Sequence, residues 1–84
     1  AIALGKARDM LSRRNYKEAL LYAQRAVKAC PQDAEARYLL GLCLAKNNDT
    51  KGAKLEFEKT LKLNPTTDIA LKTQEMLHSL PTAV

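Results

Sequence analysis

Displacing the sequence on itself by 34 residues lays Lys17 on Lys51, Ala19 on Ala53, Leu21 on Leu55, Lys28 on Lys62, Pro31 on Pro65 and Ala36 on Ala70. Ala7 falls on the equally small Gly41. A fixed period of this length marks a stacked array, in which each supersecondary unit is too small to bury its apolar face alone. The chain has 84 residues, enough for one domain with a modest core and too few to enclose a deep catalytic cavity. With only 3 Gly and 3 Pro it lacks the turn residues of an all-β chain, and its dominant Ala, Leu, Lys and Glu favour helix.

Apolar spacing and punctuation predict five helices. The first runs over 2–13, with Ala3, Ala7, Met10 and Leu11 on one face. Arg14-Asn15 is a turn, and Asn15 followed by Glu18 resembles a capping box. The second helix carries Ala19, Ala23, Ala26, Val27 and Cys30 on one stripe and stops before Pro31. Asp33 caps a third bearing Leu39, Leu40, Gly41, Cys43 and Leu44. After Asn47-Asn48-Asp49, with Asp49 as cap, a fourth carries Ala53, Phe57, Thr60, Leu61 and Leu63 and ends at Asn64-Pro65. Thr66-Thr67 caps a fifth over 68–80, with Leu71, Met76, Leu77 and Leu80. Pro81 ends it and leaves a tail at 81–84. Small side chains mark close helix crossings, so Ala7 is expected to meet Ala19 and Gly41 to meet Ala53, with Phe57 filling the gap toward the neighbouring hairpin.

Catalytic and metal chemistry find no constellation. His78 has no partner base or nucleophile, and Ser12 and Ser79 read as solvated or capping groups. Glu56 and Glu58 are two apart on a helix and face different ways. Gly5, Gly41 and Gly52 are scattered and form no phosphate loop. Cys30 and Cys43 lack metal-ligand spacing and read as two small, half-buried thiols, which favours a reducing compartment such as the cytoplasm. No enzyme activity, cofactor, metal or small-molecule substrate is expected, nor membrane insertion, since no apolar run approaches the ~20 residues of a span. The net charge of +5 is compatible with an acidic partner or nucleic acid. Its local concentration from Lys6 to Lys17 reads as a solvated helix end and turn.

The run Ala34-Glu35-Ala36-Arg37-Tyr38-Leu39-Leu40-Gly41, followed by Ala53, Phe57 and Asn64-Pro65, resembles a tetratricopeptide repeat. An earlier unit matches more loosely through Asn15-Tyr16-Lys17-Glu18-Ala19 and Pro31. The sequence departs from the pattern at Arg37, where a large apolar residue is preferred, and at Leu44, Thr60, Lys6 and Ala7. The resemblance implies an all-α fold of antiparallel helical hairpins stacked as a short right-handed solenoid. A single domain over 1–80 would comprise repeats over about 1–33 and 34–67 and a closing helix over about 68–80.

That family binds protein segments in a concave groove lined by the first helix of each hairpin. Carried over by position, the groove here would be lined by Leu4, Arg8, Leu11, Tyr38, Leu39, Leu42, Lys46, Lys72 and Met76. The positions at which one subclass holds a C-terminal carboxylate are Leu4, Arg8, Leu39, Ile69 and Thr73. Only Arg8 suits that task, so no such clamp is expected. The resemblance therefore implies an adapter for a peptide or helix of a protein partner, with acidic residues suiting Arg8, Lys46 and Lys72. Alternatives are self-association, such as a homodimer, through exposed repeat ends, or nucleic-acid binding through the basic stretch, which lacks stacking aromatics and a reader motif.

Overall fold

The computed structural model describes residues 2–80 and resolves them into helices α1 (Ile2–Ser12), α2 (Tyr16–Ala29), α3 (Ala34–Lys46), α4 (Thr50–Lys62) and α5 (Thr67–Ser79). The expected stop at Pro81 and the tail at 81–84 lie outside the described residues. Three of the predicted caps form. Asp33 Oδ1 accepts from the amides of Glu35 at 3.0 Å and Ala36 at 3.4 Å. Asp49 Oδ1 accepts from Gly52 N at 2.9 Å, and Thr66 Oγ1 from Ile69 N at 3.4 Å. Each satisfies amides that the first helical turn leaves without partners. Asn15 precedes α2 but its side chain makes no capping bond, contrary to the expected capping box.

The two hairpin turns are built alike. Arg14 has φ 61° and Asn48 φ 66°, left-handed backbone placed one period apart. Around Arg14 the amide of Asn15 bonds Met10 O at 2.8 Å and that of Arg14 bonds Leu11 O at 3.0 Å. Around Asn48 the corresponding bonds are Asp49 N to Leu44 O at 2.8 Å and Asn48 N to Ala45 O at 3.1 Å. This crossed pair is the Schellman closure, which reverses the chain within two residues and lays the second helix back on the first. The repeat is thus encoded in backbone conformation as well as in side chains. Asn64 is also left-handed, at φ 53°, but Pro65 follows it and has no amide to complete the same closure.

The turns pair α1 with α2 and α3 with α4. α3 touches all four other helices, and α5 closes against α3 and α4. A helix so surrounded shows little of its girth to water: α3 buries Ala36, Leu39, Leu40, Gly41 and Cys43, and Lys46 alone among its residues is exposed. Ala7, Ala19, Ala23 and Ala53 are completely buried, marking where helix backbones run close. Phe57 is likewise fully buried, and its ring lies 5.9 Å from that of Tyr38. An ideal Cβ on Gly41 would fall 2.6 Å from the Phe57 ring. Phe57 therefore takes the space that a side chain at Gly41 would occupy. A buried phenylalanine contributes roughly 1.5–3 kcal/mol, and a missing methyl opposite it makes the room.

Departures from the expected stripes have local causes. Cys30, one residue past α2, has turned outward and is exposed. Leu71 is 54% exposed, because α5 is the last described helix and only one side of it is covered. In the 34-residue register, Leu40, Gly41 and Leu44 of α3 become Gln74, Glu75 and His78 of α5. All three are exposed, so the face that α3 turns to a partner helix is polar in α5. Thr60 and Thr73 are buried without penalty, since each hydroxyl donates to a carbonyl four residues back, Glu56 O at 2.8 Å and Ile69 O at 2.7 Å.

Polar bonds link the units. Asn47 Nδ2 donates to Cys43 O at 2.8 Å and to Tyr16 O at 3.1 Å, tying the end of α3 to the start of α2. Arg37, the departure from the repeat pattern, donates through Nη1 to Glu56 Oε1 at 3.0 Å and through Nε to Pro31 O at 3.2 Å. It thereby joins the loop after α2 to α3 and α4.

Candidate partner-binding face

The first helices of the units, α1, α3 and α5, stand side by side, with α3 in contact with the other two. The nine positions expected to line a groove fall into three groups. Leu4 and Leu39 are only 8% and 6% exposed and belong to the core, so they support the face from beneath and have little surface left to offer. Leu11, Tyr38 and Leu42 are half-buried against that core, and Met76 is half-buried on α5. Arg8, Lys46 and Lys72 are exposed.

The charges are less free than their exposure suggests. Arg8 forms an ion pair with Glu35, spanning α1 and α3. Lys72 pairs with Asp68 at 3.3 Å, one turn earlier on α5. Lys46 sits 5.8 Å above the Tyr16 ring, which draws it toward the start of α2. Tyr38 and Lys72 are brought together. Burial pushes the Tyr38 hydroxyl above its ordinary pKa, Lys72 pulls it back, and Asp68 and Glu75 add to the rise. The phenol therefore stays protonated through the neutral range and remains a hydrogen-bond donor.

Two acidic residues on this side, Glu35 and Asp68, went unrecognised in the sequence. Glu35 and Asp68 lie with Asp33, Asn64, Pro65 and Ile69 around a hollow of about 540 Å³ between the starts of α3 and α5. The period could have located it, because equivalent starts of adjacent units must lie next to each other. Of the carboxylate-clamp positions, Leu4, Leu39 and Thr73 are buried, Ile69 is half-buried, and Arg8 is held by Glu35. Among the described residues no group of acidic, histidine and cysteine side chains is arranged to hold a metal ion, and no helix is long and apolar enough to cross a membrane.

Comparison with known families agrees with this arrangement of paired helices. The tetratricopeptide repeat family model matches residues 4–66, from the first turn of α1 to the cap of α5.

Proposed function

Because the chain belongs to the tetratricopeptide repeat family, whose repeats generally mediate protein–protein interaction or scaffolding, we propose that it is an adapter binding a peptide or helix of a partner along α1, α3 and α5. The observation that supports this reading is the row Leu11, Tyr38, Leu42 and Met76. These side chains are half-exposed on three neighbouring helices, and Leu11, Tyr38 and Leu42 rest on a packed layer beneath. Rigid apolar and aromatic side chains with a firm backing make good anchors, since little side-chain entropy is lost when they are covered. The ion pairs Arg8–Glu35 and Lys72–Asp68 border this row. A partner carboxylate would have to displace an acidic side chain already in place, so selectivity on this face rests on shape and apolar anchors more than on charge. In this reading the two repeats, about 1–33 and 34–67, and the closing helix act as one unit.

Peptides selected from a random displayed library on the wild-type protein provide the test. Binding of the selected peptides should weaken by about tenfold or more in Tyr38→Ala and in Leu42→Ala, with the helical circular dichroism signal unchanged. Peptides that bind both variants as tightly as the wild type would remove the face from consideration.

A further inference from the structure

The period also duplicates something that the inner face does not use. Lys17, Leu21, Arg25 and Lys28 of α2 recur as Lys51, Leu55, Lys59 and Lys62 of α4. The spacing of four, four and three places each set along one side of its helix. All eight residues are exposed, and the leucines to 55% and 57%. More than half of a large apolar side chain is thus left in water at the same place in two repeats.

Arg25 lies 5.5 Å over the Tyr22 ring, but the cations beside these leucines are otherwise less committed than those of the inner face. Among the described residues, no carboxylate lies in ion-pair reach of Lys17, Arg25, Lys28, Lys51 or Lys62, and Lys59 reaches only Glu56, at 3.7 Å. α2 and α4 each carry a formal charge of +2, together four of the chain's five net positive charges. Near the end of α4, Arg37, Lys59 and Lys62 surround a hollow of about 160 Å³ walled by Pro31 and Leu63, a space for an acidic side chain.

We propose that the outer face of α2 and α4 is a second interaction surface, whose occupant is an acidic amphipathic segment of a protein partner. Its carboxylates would meet the two cationic rows, and its apolar side chains would cover Leu21 and Leu55. Nucleic acid fits less well, because a phosphate backbone uses the cations but gives nothing to exposed leucines. An anionic bilayer fits less well too. Glu18 and Glu58 stand one turn from the leucines, exposed, where such a surface repels them and a protein can supply a matching cation.

The test uses the whole chain and a short fluorescein-labelled peptide of glutamate and leucine, its leucines at helical spacing, followed by fluorescence anisotropy. Saturable binding is expected, weakening about tenfold between ~0.05 and ~0.3 M salt. Lys51→Glu/Lys62→Glu should reduce it by about tenfold or more, and Leu21→Ser/Leu55→Ser by roughly three- to tenfold. Tyr38→Ala should leave it unchanged, which separates this surface from the inner face. The outer-face side chains are all exposed, and circular dichroism verifies that each variant folds. No binding at low salt, binding indifferent to the outer-face variants, or saturable binding of duplex DNA or phosphatidylserine vesicles in place of the peptide would each overturn the proposal.

Discussion

Gly41 and Phe57 occupy one shared space: an ideal Cβ on the glycine would stand 2.6 Å from the phenyl ring, and the ring is wholly buried. Alanine at position 41 would gain helix propensity of about 1 kcal/mol but force the ring into neighbours that have no slack. Gly41→Ala is therefore expected to destabilise by about 1–3 kcal/mol net, lowering Tm by roughly 5–15 °C for a domain of this size. Phe57→Leu should recover part of that loss in the Gly41→Ala background while being costly alone. Thermal denaturation of the two single variants and the double variant checks this, and additive effects would contradict the shared space.

The left-handed backbone at Arg14 and Asn48 suits asparagine far better than arginine. Arg14 is exposed and forms no ion pair among the described residues. Arg14→Asn should stabilise by about 0.5–1 kcal/mol, and Asn48→Arg should destabilise by a similar amount. Urea denaturation at matched pH reads both. Equal stability of wild type and Arg14→Asn would mean that the turn relaxes elsewhere.

How much of this was legible in the sequence depends on how local the cause is. Caps at Asp33, Asp49 and Thr66 depend on a few neighbouring residues, and the reading of them holds. Asn15 shows the limit, since the Schellman closure at Arg14 already sets the entry to α2 and its side chain makes no cap. The period located Gly41; that the Phe57 ring takes the space of its missing side chain depends on how the two helices pack along their whole length. Leu4 and Leu39 sit on helices expected to line a groove; their burial follows from α3 lying between neighbours on several sides, a property of the assembled fold. Arg37 looked like a defect in the repeat pattern because its partner, Glu56, is in the next helix.

That partnership makes a measurable prediction. The Arg37 and Glu56 side chains are 19% and 12% exposed, so breaking the pair strands a poorly solvated charge. Glu56→Ala should cost about 2–3 kcal/mol, and Arg37→Ala somewhat less, since the carboxylate keeps Lys59 at 3.7 Å. A double-mutant cycle should give a coupling of about 1–2 kcal/mol. Arg37→Leu/Glu56→Leu should fall close to wild-type stability, because an apolar pair can replace a buried ion pair with little loss. A coupling near zero would show that Arg37 is held by Pro31 O alone.

The two thiols should behave as opposites, and one of them should make stability depend on pH. Cys30 is exposed and should react readily with a thiol reagent, whereas Cys43 is fully buried and should react only when the chain unfolds. Burial also pushes the Cys43 thiol from 9.0 to about 11. Below pH 9 both folded and unfolded chains hold the proton, and the group has no effect on the balance. Between pH 9 and about 11 the unfolded chain gives up its proton while the folded one keeps it, so folding stability falls as pH rises, by roughly 2–3 kcal/mol at most. The raised pKa of Tyr38 acts in the same sense, its part beginning near pH 10. Cys43→Ala removes the thiol contribution and leaves that of the phenol. Urea denaturation of both proteins at pH 8 and pH 10.5 should therefore show a smaller alkaline loss in the variant; an equal loss would mean that the Cys43 thiol ionises as easily in the folded chain as in the unfolded one.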